Sequence, residues 1–172
     1  MWWHRTLVPY NRVLIKTGWR GTLTHPAIGV RGPKFEFVVE RGKIREFARA
    51  IGADHDAYLS VRDPVVPPTF LTIAGRLWGY TFDEPRGTCL AEIDFDRSLL
   101  LNAEEEFEYF GDLPKAGTRL QVYTEIKNVY EKRGRRGGLL TFVIIETVFE
   151  SETGQVIAVQ RQTVVKTETA PG

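Results

Sequence analysis

A short polar segment, Asp54-His55-Asp56, carries the residue types in this chain that are best suited to acid–base chemistry. Histidine changes its charge near neutral pH, and neighbouring carboxylates can shift its pKa. The segment therefore has the composition of a general acid or base. The alternative is a solvated polar loop, because local clusters of charged side chains are commonly exposed and without a catalytic role.

The elements on both sides of this segment determine where it lies. The residues before it predict a helix that ends at Gly52, since glycine accepts the backbone angles of a helix stop. After it, the prolines of 63–68 predict a rigid extended segment. Residues 70–78 are apolar over most of a helical circumference, so this second helix should be buried nearly all round. The apolar face of the first helix consists of Ile44, Phe47, Ala48 and Ile51.

Most of the remaining sequence predicts antiparallel strands. Alternating or β-branched and aromatic residues are typical of strands, and the polar glycine-rich stretches 134–138 and 151–154 are typical of hairpin turns. Two helices followed by long antiparallel strands predict an α+β fold, in which a curved sheet wraps around one buried central helix. The predicted strands are 34–39, 91–95, 105–109, 120–126, 139–149 and 156–165.

Composition excludes several classes of function. With 172 residues the chain is long enough for one domain with a substantial core, and its formal net charge of +1 does not indicate nucleic acid or a membrane surface as a partner. Cys89 is the only cysteine, so no internal disulfide is possible, and the histidine spacings do not indicate a metal site. No apolar run approaches the length of a membrane-spanning helix. We expect a cytoplasmic protein without a metal or other cofactor.

The order and spacing of five segments resemble the MaoC-like acyl dehydratases. The resemblance is closest to the N-terminal hot-dog domain of these enzymes and to accessory subunits of two-subunit (3R)-hydroxyacyl-ACP dehydratases. It predicts a hot-dog domain over 34–168, preceded by an N-terminal arm, 1–33, and followed by a short tail, 169–172. The segments that carry the resemblance are 42–52, 66–70, 103–109, 115–120 and 130–134.

The resemblance implies that the catalytic pair of the family is missing here. The active enzymes have Gly-Asp-x-Asn-Pro-x-His after the first helix, and their Asp and His correspond to Ala53 and Tyr58. A phenol with a pKa near 10 is a poor general base at neutral pH. Where those enzymes have a glycine at the start of the buried helix, this chain has Pro68, which has no N–H to polarise a thioester carbonyl, although Thr69 retains one.

The function implied by the resemblance is that of an acyl-thioester-binding subunit of an (R)-specific enoyl hydratase or (3R)-hydroxyacyl dehydratase. Its substrate would be carried as a thioester of coenzyme A or of acyl carrier protein. It would form a homodimer, or a heterodimer with a catalytic hot-dog subunit, and would belong to a lyase. The residues predicted to line the acyl channel are Tyr58, Pro68, Thr69, Phe70, Leu71, Ile73, Ala74 and Leu77.

Two other functions remain open from the sequence. A self-sufficient hydratase or thioesterase would use Asp54, His55 and Asp56, and a non-enzymatic acyl-CoA-binding protein would use none of them.

Two charged segments also have two interpretations each. The basic turn 132–136 could bind phosphates or an acidic carrier protein, or be a solvated hairpin tip. The glutamates of 104–108 could form a site or be an exposed strand edge protected by its charge, and we favour the exposed edge.

Overall fold

The structure is a computed structural model that describes residues 25–59, 62–74, 89, 93, 99–135 and 137–168. Five strands, two short α-helices and one 3-10 turn account for its regular structure. Residues 1–24 of the N-terminal arm, most of the predicted strand 91–95 and the tail 169–172 lie outside the described residues. The elements are β1 (Phe35–Val38), α1 (Arg41–Ala50), α2 (Asp56–Leu59), the 3-10 turn (Phe70–Thr72), β2 (Leu100–Tyr109), β3 (Arg119–Arg133), β4 (Leu139–Glu150) and β5 (Val156–Thr167).

The strands form one antiparallel sheet in the order β1-β3-β4-β5-β2. The hairpins β3–β4 and β4–β5 are long and closely paired, with turns that contain glycines of positive φ, Gly137, Gly138 and Gly154. Strand β2 lies at the far edge, where it pairs with β5 over its whole length. The α+β class predicted from the sequence is confirmed.

The inner face of the sheet packs on α1 and on the 3-10 turn through a cluster that we call the main core. Phe70 has no exposed surface, and its ring centroid lies 6.3 Å from that of Phe37 on β1 and 5.5 Å from that of Phe47 on α1. One aromatic side chain therefore joins the sheet, the first helix and the start of the second. The other buried members of the main core are Val39, Ile44, Val66, Leu71, Ala74, Leu120, Val122, Phe149 and Ala158.

The predicted apolar face of α1 is correct at three of its four positions. Ile44 and Ala48 are fully buried and Phe47 packs against the main core, but Ile51 is 52% exposed. The helix ends one residue earlier, at Ala50, so that Ile51 leaves the helical face. Gly52, at φ +69°, follows in the left-handed region, as predicted for a helix stop.

A second cluster lies along the inner face, toward the other end of the sheet. The described part of the N-terminal arm contributes to it, because Gly29 donates from its N–H to the carbonyl of Ile126, whose own N–H bonds to Val30. Cys89 is buried there, 3.1 Å from the hydroxyl of Thr124, and burial raises the pKa of its thiol. The buried members are Ala27, Cys89, Ile126, Val129, Val143, Ile145 and Val164.

The outer face of the sheet carries a row of paired charges across four strands. Glu125 on β3 lies opposite Glu146 on β4, and Glu146 lies opposite Arg161 on β5. The Lys127 ammonium lies 3.0 Å from the Glu125 carboxylate and 3.5 Å from that of Glu146, so that it forms an ion pair with each. Desolvation opposes ionisation of Glu125, but the hydrogen bonds that it accepts from Arg31 and Lys127 outweigh it and lower the pKa of the carboxyl group. Glu125 is thus held ionised.

Candidate functional site

The segment that follows α1 forms a tight turn and then one turn of helix. The N–H of Gly52 bonds to the carbonyl of Arg49, and the N–H of Ala53 bonds to that of Ala48, which together make a Schellman stop. The imidazole Nδ1 of His55 then accepts the N–H of Ala57 at 3.1 Å, in the position of an N-cap for α2. Local backbone hydrogen bonds therefore fix the segment.

Within this segment, the titratable side chains and Tyr58 take different positions. Asp54, His55 and Asp56 are all exposed, whereas Tyr58 is half-buried and packs against the main core. The His55 ring centroid lies 5.9 Å from that of Tyr58. Because Nδ1 of His55 accepts the capping hydrogen bond, this nitrogen carries no proton in that arrangement. The structure gives His55 a capping role that the sequence did not predict.

The proline-rich segment before the second helix is anchored to the loop between β2 and β3. The N–H of Val66 bonds to the carbonyl of Pro114 at 2.9 Å, and the N–H of Ala116 bonds to that of Pro64 at 2.9 Å. Pro68 and Thr69 follow and are exposed. The segment therefore presents Pro68 and Thr69 at the surface, directly before the buried Phe70.

The second helix is described only at its start. Residues Phe70–Thr72 form a 3-10 turn, and Ile73 has right-handed helical angles of φ −75° and ψ −19°. Phe70, Leu71 and Ala74 have no exposed surface, whereas Ile73 is half-buried against the main core. Five of the predicted channel residues therefore share one cluster, Tyr58, Phe70, Leu71, Ile73 and Ala74, whereas the predicted Pro68 and Thr69 are exposed. Leu77 lies outside the described residues.

A polar cluster that sequence reasoning missed lies next to this turn. The carboxylate of Glu105 on β2 accepts hydrogen bonds from the hydroxyl of Thr72, at 2.9 Å, and from the side-chain amide of Gln160 on β5. Gln160 is only 8% exposed. The alternation of β2 in the sequence placed Glu105 on the same face as Phe107 and Tyr109. Its hydrogen-bond partners could not be predicted, because they lie 33 and 55 residues away in the sequence. The cluster fastens the helix start to the sheet.

The basic turn predicted as a possible phosphate site lies far from the main core. Lys132, Arg133 and Arg135 are exposed at the β3–β4 hairpin, and the Lys132 ammonium lies 5.0 Å from the Tyr130 ring centroid. With the usual rise per residue of an extended strand, Arg133 lies about 35 Å along β3 from Val122. These residues therefore do not border the candidate site.

Tyr109→Phe should lower the free energy of unfolding by about 1 kcal/mol at neutral pH, the usual net value of one hydrogen bond. The Tyr109 hydroxyl donates to the carbonyl of Pro68 at 2.7 Å, and desolvation raises the pKa of the phenol from 10.0 to about 12. As pH rises above 10.0, the unfolded chain loses this proton before the folded chain does. The wild type therefore loses stability between pH 10 and 12 through this group, and Tyr109→Phe does not.

Urea unfolding at neutral and alkaline pH measures both effects. The matched control is Tyr123→Phe, because Tyr123 is a half-buried tyrosine on the opposite face of the sheet and leaves Tyr109 in place. The control should keep the alkaline loss. An equal alkaline slope in the wild type and in Tyr109→Phe contradicts the assignment to Tyr109.

Comparisons with known proteins show which family the sequence matches. The sequence matches the family described as FAS1-like, dehydratase domain region, over residues 26–160. A UPF0336 protein of Streptomyces griseus is 30% identical over 134 residues, which cover 73% of this chain and 81% of the relative. A second UPF0336 protein, from Streptomyces coelicolor, is 29% identical over 111 residues, or 59% of this chain and 69% of the relative.

Similar solved structures carry the same fold. The truncated HadBC complex of Mycobacterium tuberculosis, a (3R)-hydroxyacyl-ACP dehydratase, gives a TM-score of 0.63 at 22% identity over 83% of this chain and 99% of that chain. A MaoC-like dehydratase gives 0.65 at 21% identity, over 83% of this chain and 42% of that chain. The ChsH1–ChsH2 complex of Mycobacterium tuberculosis gives a TM-score of 0.62 at 17% identity, over 83% of this chain and 86% of that chain. These likenesses confirm the predicted hot-dog fold.

Proposed function

We propose a function from the premise that this chain belongs to the FAS1-like dehydratase domain region family. The proposed function is that of an acyl-thioester-binding subunit of an (R)-specific enoyl hydratase or (3R)-hydroxyacyl dehydratase. In this proposal the chain binds and orients the acyl group, and a partner hot-dog subunit supplies the acid–base pair. The substrate is a thioester of coenzyme A or acyl carrier protein, and no further cofactor takes part. The proposed location is the cytoplasm.

The proposal rests on one observation, namely which side chain of the loop after α1 packs against the main core. This side chain is Tyr58, an aromatic group, whereas the neighbouring titratable residues Asp54, His55 and Asp56 are exposed. An acid or base must come within hydrogen-bonding distance of the proton that it transfers. Aromatic and aliphatic side chains around the start of the second helix instead suit an acyl chain.

The backbone at the start of the second helix supports the same proposal. Pro68 has no N–H, and its carbonyl already accepts the hydroxyl of Tyr109. Free N–H groups at a helix start are the usual donors to a thioester oxygen in which negative charge develops. One such donor is missing at Pro68, which favours a chain that binds substrate over one that activates it.

The proposed assembly is a dimer, either of two copies or with a catalytic hot-dog subunit. Two of the similar solved structures, HadBC and ChsH1–ChsH2, are named as complexes. The FAS1-like dehydratase match and the apolar cluster at Tyr58 are compatible with a shared acyl site in such a pair. Acyl carrier protein is retained in the proposal as one carrier of the substrate.

Isothermal titration calorimetry of the purified chain with a medium-chain acyl-CoA tests the proposal. We expect acyl-CoA to bind and free coenzyme A to bind at least about tenfold more weakly, since burying an acyl chain of several methylenes is worth more than 1.4 kcal/mol. Ile73→Asn should weaken acyl-CoA binding roughly tenfold, because Ile73 is the half-buried aliphatic residue at the helix start.

The matched control is Ile51→Asn, the same substitution at an isoleucine that is 52% exposed. This control should bind acyl-CoA like the wild type. The proposal is wrong if the wild type does not distinguish acyl-CoA from free coenzyme A, or if both variants lose the same affinity.

A further inference from the structure

The polar cluster at the start of the second helix contains a carboxylate oxygen that its neighbours leave open. The hydroxyl of Thr72 donates to Oε1 of Glu105 at 2.9 Å, and the side-chain amide of Gln160 donates to the same atom. The Gln160 amide also donates to the Thr72 hydroxyl oxygen at 3.3 Å, so the three side chains close a ring of hydrogen bonds. Within the part of the chain that the structure describes, no donor reaches Oε2 of Glu105.

The fastening of the helix start therefore uses only one oxygen of Glu105. An ionised carboxylate accepts about four hydrogen bonds and donates none, so Oε2 keeps the capacity to accept from another group. Among the described residues no cation pairs with this carboxylate, since Arg161 on β5 binds Glu106 and Glu108 instead. The amide oxygen of a glutamine could accept the same two hydrogen bonds. The fastening thus does not account for a negative charge at this position.

The open oxygen lies beside the residues that are proposed to hold the acyl chain. By the alternation of the strand, Glu105 and Phe107 lie on the same face of β2, and Phe107 packs against the main core. Thr72 directly precedes Ile73, the half-buried aliphatic residue of the proposed site. Glu105 is itself exposed, so a ligand can reach it. A chain bound along Ile73 and Phe107 therefore comes within reach of the carboxylate.

The carboxylate lies beyond the place expected for the first carbons of that chain. Because Pro68 has no N–H, the N–H of Thr69 is the donor that remains for a thioester oxygen. Thr72 follows Thr69 by three residues, about 6 Å at the rise of a 3-10 turn. Glu105 lies four residues, or about 13 Å along β2, from Tyr109, whose hydroxyl binds the Pro68 carbonyl. Both distances exceed the two bonds that separate C3 from a thioester carbonyl.

A plain alkyl chain does not suit an ionised oxygen. Methylene groups that cover the oxygen remove its water and offer no hydrogen bond in return. A hydroxyl on the chain replaces that water with a charge-assisted hydrogen bond. A ketone oxygen only accepts hydrogen bonds, so it cannot bind to a carboxylate in this way.

We propose that Oε2 of Glu105 binds a hydroxyl group on the distal part of the acyl chain, several carbons beyond the thioester. The site then takes hydroxylated acyl thioesters in preference to those with a plain alkyl or ketone-bearing chain. The inference rests on the proposed function, because it names the substrate class of the same acyl site. In it Glu105 binds the chain and takes no part in proton transfer.

Size-matched acyl-CoA ligands test the inference on the purified chain. Isothermal titration calorimetry compares 7-hydroxyoctanoyl-CoA with 7-oxooctanoyl-CoA and octanoyl-CoA, and 9-hydroxydecanoyl-CoA with its ketone and plain counterparts. Hydroxyl and ketone forms differ by two hydrogens, so they fill almost the same volume. In at least one series the wild type should bind the hydroxyl form about tenfold more tightly than either counterpart, the effect of one hydrogen bond to a charged group.

Glu105→Gln separates ligand binding from the fastening of the helix start. The glutamine oxygen can still accept from Thr72 and Gln160, while its NH₂ group takes the place of Oε2, so that an acceptor becomes a donor. The preference for hydroxyl over ketone should fall to about twofold or less, with a melting temperature close to that of the wild type. Glu104→Gln is the matched control, because Glu104 is an exposed neighbour that pairs with Thr163 on the other face, and it should keep the wild-type preference.

Two results overturn the inference. In the first, the ketone or the plain chain binds at least as tightly as the hydroxyl form in both series. In the second, Glu105→Gln keeps the full wild-type preference. Under either result, plain acyl-CoA that still binds more tightly than free coenzyme A leaves the proposed function standing, whereas no binding of any acyl-CoA overturns both. The wild-type comparison decides by itself if the variant does not fold.

Discussion

Phe70→Ala should lower the free energy of unfolding by about 3–5 kcal/mol, the range for removing a buried aromatic side chain. Phe70 has no exposed surface and lies against both Phe37 and Phe47. Its loss removes the buried apolar area and leaves a cavity where the sheet, α1 and the second helix meet. The close-packed side chains around the site cannot relax enough to fill such a cavity.

Urea unfolding followed by circular dichroism measures this loss. Phe110→Ala is the matched control, because Phe110 follows β2 and is 47% exposed, and it should cost less than about 1 kcal/mol. If the two variants lose the same stability, Phe70 does not hold the three elements together.

Strands were the easiest elements to predict from the sequence, because their signal is local. The alternation of β3 and the long β-branched run of β4 determine which side chains face inward, and the glycine turns determine the hairpins. The hydrogen-bonded register and the edge position of β2 depend on the whole sheet. They became visible only in the structure.

The loop after α1 shows where local pattern was not enough. Asp54-His55-Asp56 has the composition of an acid–base site, but the imidazole of His55 caps a one-turn helix. Composition cannot distinguish these roles, since a helix cap and an acid–base group both use a polar side chain that forms hydrogen bonds. The partners of Glu105 were likewise hidden, because Thr72 and Gln160 are distant in sequence and meet only after the sheet closes on the helix start.

The isolated chain should not hydrate a medium-chain trans-2-enoyl-CoA above the uncatalysed rate. A positioned acid or base raises the rate of such a reaction about 10²–10⁴-fold. In this loop the side chain that packs against the core is Tyr58, and not an acid or base. His55→Ala should therefore leave the rate unchanged, while it lowers the free energy of unfolding by about 1 kcal/mol through loss of the cap on α2.

His55→Asn separates a structural histidine from a catalytic one. Asparagine is a strong N-cap, so this variant should regain the stability that His55→Ala loses, although it cannot transfer a proton at neutral pH. An absorbance assay of enoyl-CoA hydration and a melting curve are recorded for all three proteins. Turnover in the wild type that disappears in both variants, despite the restored stability of His55→Asn, assigns the acid–base role to Asp54-His55-Asp56. That result makes the chain a self-sufficient hydratase, whereas three equal background rates support the proposal that a partner subunit supplies catalysis.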